Sequence, residues 1–131
     1  MADTGFDIMV IGGGPGGLGA VSSIVRQNYK TVVFDSGKYR NAISHHMHTV
    51  PTWDHKDPAE FRVSAQKDFE RYGCVTVEKV EIETIKQRDD GLFEASGDGR
   101  TWTAKKVVLA TGVEDVFPDI PGYADCWGTG M

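Results

Sequence analysis

The chain has 131 residues, of which 40% are apolar and 25% are charged, values typical of one globular domain with a core of its own. A net charge of −5 without a cluster of basic residues argues against a nucleic-acid partner, because contacts to phosphates need clustered Lys and Arg. The acidic start MADTGFD is unlike a signal peptide, no apolar stretch is long enough to span a membrane, and two cysteines do not make a disulfide framework. We therefore expect a single domain, residues 1–131, in the cytoplasm, with no membrane and no nucleic acid among its partners.

The first predicted elements are a strand, a glycine-rich turn and a helix. The segment FDIMVIGGGPGGLGA predicts a buried strand over Asp7–Ile11 and a helix over Pro15–Gln27. Between and within them Gly12, Gly14 and Gly17 form the pattern GxGxxG. In this setting the pattern indicates a tight turn, a close backbone approach to a pyrophosphate, and close packing of helix on strand. The phosphates would lie on N–H groups at the helix N-terminus, where the helix dipole favours anions.

The second predicted strand ends in an acid. The segment TVVFDSG predicts a strand over Thr31–Asp35, and Asp35 follows the glycine turn at the distance of an acid that hydrogen-bonds a ribose hydroxyl. The same carboxylate would repel a 2′-phosphate, so the pattern argues against a cofactor that carries one. Together these elements indicate a dinucleotide-binding, Rossmann-like fold.

A second helix and a third parallel strand are predicted next. An irregular stretch, Ser36–Lys56, leads to Asp57, a plausible N-cap for a helix that ends at Gly73. Val75–Val77 then reads as a short parallel strand. These elements continue the alternation of strand and helix that is typical of a parallel sheet.

An antiparallel insertion follows the third strand. Val80, Ile82 and Thr84 alternate with charged residues, and glycine turns separate this strand from two more, Leu92–Ser96 and Thr101–Ala104. After the insertion, residues 107–110 re-enter the parallel sheet. The predicted fold class is α/β: a Rossmann-like parallel sheet with an inserted three-stranded antiparallel meander that covers one face.

All four histidines fall in the irregular stretch: His45, His46, His48 and His55. Neighbouring His45 and His46 cannot easily point at one ion, and no acid or cysteine completes a tidy spacing, so we predict no metal site. Acid–base work is the better functional interpretation, because histidine titrates near neutral pH. We take His48 and then His46 as the candidate catalytic residues, and solvated surface histidines as the alternative.

The end of the chain carries a resemblance to a known family. An N-terminal GxGxxG together with a downstream ATG and PxxPG, in VVLATGVEDVFPDIPG, resembles the FAD domain of thioredoxin-reductase-like pyridine-nucleotide:disulfide oxidoreductases. The segments FDSGKYRNA (34–42) and MHTVPTWDHKDP (47–58) are similar to those of the dithiol oxidases of gliotoxin-type epidithiodiketopiperazine biosynthesis. The resemblance covers essentially the whole chain and implies a partial FAD-binding domain.

The resemblance also implies a cofactor, a site and an absence. It implies that FAD is held by the glycine turn, the loop after the second strand and the end of the last strand: Gly12, Gly14, Pro15, Gly17, Asp35, Ser36, Arg40, Asn41, Ala110, Thr111 and Gly112. In the family a Cys-x-x-Cys pair follows the segment that CWGTGM (126–131) resembles, so we expect the chain to be truncated before that pair and before the NADPH domain. Without the dithiol we expect no NADPH-dependent disulfide reduction.

Two functions therefore stay open for the sequence. The first is an FAD-dependent, oxidase-like flavoprotein that acts on a small-molecule substrate in secondary-metabolite biosynthesis. The alternative is a repurposed isomerase, dehydratase or cyclase that uses the former flavin cleft as a substrate pocket with histidine acid–base catalysis. We expect a homodimer in either case, because loss of the family's remaining domain surface would expose apolar residues around Ile120 and Trp127.

Overall fold

The computed structural model describes residues 3–128, so the last residues of the CWGTGM segment lie outside the described part. The elements in chain order are β1 (Asp3–Ile11), α1 (Pro15–Ile24), β2 (Thr31–Phe34), α2 (Pro58–Glu70), β3 (Val75–Glu78), β4 (Thr84–Gln87), β5 (Phe93–Gly97), β6 (Arg100–Leu109) and the short helix α3 (Tyr123–Cys126). None of the described helices has the length and apolarity to cross a membrane.

All six strands form one sheet in the order β3-β2-β1-β6-β5-β4. The strands β3, β2, β1 and β6 run parallel, whereas β4, β5 and β6 form antiparallel pairs. The predicted fold class is confirmed: the parallel part is Rossmann-like, and the antiparallel part is the inserted three-stranded meander.

The strand β6 belongs to both parts of the sheet, which the sequence did not predict. Residues 100–104 pair with β5 and residues 102–109 pair with β1, so the two short strands expected there are one strand of 10 residues. Lys105 and Lys106 interrupt the apolar pattern and suggested a break. The ladder nevertheless continues through Lys106, opposite Ile8, and the Lys105 ammonium forms an ion pair with Asp7 at 2.7 Å.

Each face of the parallel sheet has its own core. The helices α1 and α2 cover one face, where Val10, Leu18 and Phe69 are buried. The meander covers the other face, as predicted, and the Trp102 ring meets the edge of Phe34 at a centroid distance of 4.8 Å. With both faces covered, the carboxyl edge of the sheet is left open to ligands, as in other parallel sheets.

Candidate functional site

A cleft of about 690 Å³ opens at the carboxyl ends of β1, β2 and β6. Its size is that of small-molecule and cofactor sites. Four segments line it: the glycine turn, the loop after β2, residues 80–82 between β3 and β4, and the chain after β6. The structure thus brings together all of the proposed FAD-site residues except Gly17 and Asp35: Gly12, Gly14, Pro15, Ser36, Arg40, Asn41, Ala110, Thr111 and Gly112.

The glycines of the turn meet three different surroundings. A Cβ atom on Gly12 would overlap the carbonyl of Ala110, and one on Gly17 would overlap the carbonyl oxygen of Gly12. A Cβ atom on Gly14 would meet nothing within 4 Å. Gly12 and Gly17 therefore allow the strands and α1 to pack closely, whereas Gly14 leaves space for a ligand in the cleft.

A glycine is also required at position 13, which the sequence analysis did not predict. A Cβ atom on Gly13 would overlap the side chain of Asp35, which lies directly beneath the turn. The GxGxxG spacing carries no signal for this position, because the crowding atom comes from the end of another strand. Knowledge that the Asp35 carboxylate is buried would have been needed to find it.

The Asp35 side chain lies under the cleft and not on its wall. The residue is 1% exposed, and its carboxylate accepts hydrogen bonds from the Gly37 N–H at 2.9 Å, the Tyr39 hydroxyl at 2.7 Å and the Lys79 ammonium at 2.6 Å. These bonds connect the loop after β2 with the end of β3. The expected bond from Asp35 to a ribose hydroxyl stays a prediction, because protein donors already surround the carboxylate.

The contacts between Asp35 and Tyr39 shift both pKa values in opposite directions. Burial raises the pKa of Asp35, but the hydrogen bonds from Lys79, Tyr39 and Gly37 outweigh it, and the net pKa is lowered. Burial and the hydrogen bond to Asp35 raise the pKa of Tyr39 to about 12, although the Arg62 guanidinium over its ring opposes the change. The site therefore favours a charged Asp35 beside a neutral Tyr39.

We expect this pair to make the fold sensitive to alkaline pH. The pKa of Tyr39 is raised from 10.0 to about 12, so its stabilisation is complete below pH 10.0 and is lost as the pH rises towards about 12. The free energy of unfolding in urea should fall across this window by on the order of 2 kcal/mol more in the wild type than in Tyr39→Phe. Tyr29→Phe, at an exposed tyrosine, is the control and should behave as wild type. Parallel pH profiles for all three proteins would contradict the assignment.

An ion pair joins two walls of the cleft. Arg40, after β2, binds Asp115, after β6, through Nε to Oδ2 at 2.9 Å and through Nη2 to Oδ1 at 3.2 Å. Both residues line the cleft, as does Lys38. Two basic side chains therefore lie where an anionic ligand would enter, and each is held by an acid, Arg40 by Asp115 and Lys38 by Glu81 at 2.6 Å.

The candidate catalytic histidines lie elsewhere. None of the described residues that line the cleft is a histidine, and the His48 side chain is 55% exposed. The alternative function places a catalytic histidine in the cleft, and His48 does not reach it, because the loop that carries His48 folds back on itself at the surface. His46 is likewise exposed, and a catalytic role for either residue stays a prediction without support from the cleft.

The exposed loop groups three potential ligands that the sequence analysis did not combine. Nδ1 of His48 lies 2.9 Å from Oδ1 of Asp54, and Nε2 of His55 lies 3.8 Å from Oδ2 of the same carboxylate. The argument that no acid completes a set of histidines is therefore wrong. The partner acid is Asp54, which the fold of the loop brings back onto His48.

The cleft fits a dinucleotide on the evidence of its own atoms. The helix α1 starts at Pro15 with Gly14 as its N-cap residue, and no side chain in the described part of the chain caps it. Its first N–H groups are therefore available to an anion. The open space at Gly14 and the nearby Lys38 and Arg40 suit a pyrophosphate at this end of α1.

Comparison with known proteins agrees with this geometry. Residues 6–130 match the family described as pyridine nucleotide-disulphide oxidoreductase. "Thioredoxin reductase tcpT" of Claviceps purpurea is 50% identical over 125 residues, which cover 93% of this chain and 39% of that protein. "Thioredoxin reductase aclD" of Aspergillus oryzae is 46% identical over 130 residues, which cover 97% of this chain and 41% of that protein. The structure of an oxidoreductase from Agrobacterium tumefaciens superposes with a TM-score of 0.88 at 32% identity and covers 98% of this chain and 43% of that one.

The match extends over nearly all of this chain but only part of its relatives. The chain spans about 40% of the length of the two fungal proteins. The family and the fold expected from GxGxxG, ATG and PxxPG are confirmed, and FAD is the cofactor of the matched domain. The chain belongs to the pyridine nucleotide-disulphide oxidoreductase family, in which it is a thioredoxin-reductase-like FAD-binding domain.

Proposed function

We propose that the chain binds the adenosine and pyrophosphate half of FAD in this cleft and is the flavin-binding part of an oxidoreductase. The proposed role is in secondary-metabolite biosynthesis, of the gliotoxin type, with a small dithiol-containing metabolite as substrate. The single observation that carries the proposal is the glycine turn, where Gly12 and Gly17 are closely packed and Gly14, unlike these two, faces open space in the cleft. The similarity to fungal thioredoxin reductases supports the same class of function.

The chain's own residues would bind and orient the cofactor. The N–H groups at the start of α1 would hold the pyrophosphate, and Lys38 and Arg40 would offset its charge. Ser36 and Asn41 line the same wall and would contact the ribose or the ribityl chain. Bound FAD would supply two-electron redox chemistry.

The proposed activity does not include NADPH-dependent disulfide reduction by this chain. Its two cysteines are Cys74, which precedes β3 at the amino edge of the sheet, and Cys126, which is in α3 next to the cleft residue Trp127. They lie at opposite edges of the sheet and cannot act as a redox pair, which needs two sulfurs within bonding reach. Dithiol oxidation by residues 1–131 alone would have to involve the flavin and the substrate directly.

The alternative of a repurposed isomerase, dehydratase or cyclase has less support. It requires a histidine base in the cleft, and the cleft-lining residues of the described chain include none. The flavoprotein is therefore the preferred function.

A competition experiment tests the proposal directly. The purified chain is dialysed against FAD, and ADP or riboflavin is then added as competitor. Because the cleft is proposed to hold the adenosine diphosphate half, ADP should displace FAD and riboflavin should not. The proposal would be contradicted if the chain bound no FAD at about 100 μM FAD, a concentration at which even a weakly bound cofactor is detected. It would also be contradicted if ADP did not displace the bound FAD.

We further propose that the chain forms a homodimer through the segment after β6. Val113, Val116 and Ile120 are 66%, 92% and 56% exposed, an apolar surface that a monomer would leave in water. Twofold pairing is the commonest way to cover such a surface. Light scattering of the protein at roughly tens of micromolar should give twice the monomer mass. The Val116→Asp variant should give a lower mass than the wild type. A monomeric wild type would contradict the proposal.

A further inference from the structure

We propose that the exposed loop Met47–Lys56 is a binding site for a divalent transition metal, with His48, Asp54 and His55 as its ligands. This site is separate from the cleft, because none of the three residues lines it. The proposal does not depend on FAD binding.

The ligand atoms are already close enough for one ion. One ligand atom from each of the three side chains lies within 4.8 Å of the other two. The closest approach, His48 Nδ1 to Asp54 Oδ1, is 2.9 Å, and His55 Nε2 lies 3.8 Å from Asp54 Oδ2. Ligands about 2.0–2.1 Å from a tetrahedral zinc lie roughly 3.3 Å from one another, so small side-chain rotations suffice to form the site.

The backbone of the loop holds these side chains together. The Met47 N–H donates to the Lys56 carbonyl at 2.8 Å, and the His55 N–H donates to the Met47 carbonyl at 2.8 Å, so the two ends of the loop are closed. The side chain of Met47 is buried and anchors the loop to the domain. His48 therefore stays near His55 in space although they are separated in sequence, and their rings meet edge to face at a centroid distance of 4.6 Å.

The donor set selects the class of metal. Two imidazoles and one carboxylate suit Zn²⁺, Ni²⁺ or Cu²⁺, whereas Mg²⁺ and Ca²⁺ prefer oxygen ligands alone. All three side chains are exposed, so water can complete the coordination shell. His46 is an alternative to water as the fourth ligand, because its ring lies 5.8 Å from that of His55.

The test is a titration of the metal-free full chain with Zn²⁺ alone, followed by competition with a chromophoric chelator. We expect one high-affinity equivalent per chain. Loss of a residue that only contacts a metal ligand typically lowers metal affinity by about 10- to 100-fold. Loss of a ligand itself, in His55→Ala or Asp54→Asn, should therefore weaken Zn²⁺ binding by at least about tenfold. His45→Ala is the matched control, since His45 is exposed in the same part of the chain but is not in the ligand group, and it should bind as wild type.

Two results would overturn the proposal. One is a wild-type chain that binds no Zn²⁺ in this titration. The other is loss of affinity that is equal in His45→Ala and His55→Ala, which would indicate diffuse binding to surface histidines. Circular dichroism of each variant shows that it is folded, and Co²⁺ in place of Zn²⁺ should give visible absorption bands in wild type and in His45→Ala but not in His55→Ala.

Discussion

Replacement of Gly14 by valine should abolish FAD binding while the domain stays folded. The new side chain would project into open space in the cleft, at the position where the pyrophosphate must approach the backbone. The backbone of Gly14 is extended, with φ of −79°, so valine meets no conformational barrier there. We expect FAD affinity to fall by at least about 100-fold, or roughly 3 kcal/mol, in equilibrium dialysis.

The matched control for this variant is Gly19→Ala. Gly19 lies in α1, the helix that follows Gly14, is exposed and does not line the cleft, and a Cβ atom there would meet nothing within 4 Å. Alanine there should keep wild-type FAD affinity and raise stability by up to about 1 kcal/mol, because alanine favours the helix. If Gly14→Val is folded by circular dichroism and binds FAD as tightly as Gly19→Ala does, the pyrophosphate does not lie on this turn.

Replacement of Gly17 by alanine should have the opposite outcome, a loss of the fold itself. The added methyl group would overlap the carbonyl oxygen of Gly12, which is a backbone atom and cannot rotate away. The helix α1 would have to move off β1, and the buried contacts of Leu18 and Val21 would be lost with it. We expect the free energy of unfolding in urea to fall by about 3 kcal/mol or more, a large part of the roughly 5–15 kcal/mol typical of a domain.

Gly16, which precedes Gly17, provides the control variant for this prediction. Gly16 is also in the first turn of α1, but it is exposed and a Cβ atom there would meet nothing within 4 Å. Gly16→Ala should therefore be as stable as wild type or slightly more so. Equal unfolding midpoints for Gly16→Ala and Gly17→Ala would show that the close contact between α1 and β1 is not needed for the fold.

The elements with a strong local pattern could be predicted from the sequence. The apolar run before the glycine turn and the Asp57–Pro58 start of α2 occurred as expected, and the Asp57 carboxylate accepts a hydrogen bond from the Ala59 N–H at 2.6 Å. Such signals are local, because periodicity and capping depend on residues a few positions apart. The first meander strand is displaced: the alternation predicted it at Val80, Ile82 and Thr84, and it spans Thr84–Gln87. The continuity of β6 was missed because its two lysines break the pattern, although pairing with β1 decides where the strand ends.

The candidate site was predictable only where its residues follow a strand or a glycine motif. The cleft residues near Gly12, Ser36 and Thr111 were found because parallel strands bring their carboxyl ends to one edge of the sheet. Lys79, which binds the buried carboxylate of Asp35, could not be found, since this contact depends on how far the chain extends beyond β3. The orientation of the histidine side chains could not be predicted from the sequence either, because it is set by hydrogen bonds that close a loop without regular structure.

The pairing of β1 with β6 has a consequence for synthesis of the protein on the ribosome. The ion pair between Lys105 and Asp7 joins residues 98 positions apart, and β1 is a central strand that has β2 on one side and β6 on the other. The nascent chain can pair β1 with β2 early, but the other edge of β1 stays open until β6 has left the exit tunnel. An open apolar strand edge is a template for pairing with other chains. A pause in translation within the meander should therefore favour aggregation of the nascent chain, whereas completion of β6 covers the open edge of β1 and is followed by the residues of a further cleft wall.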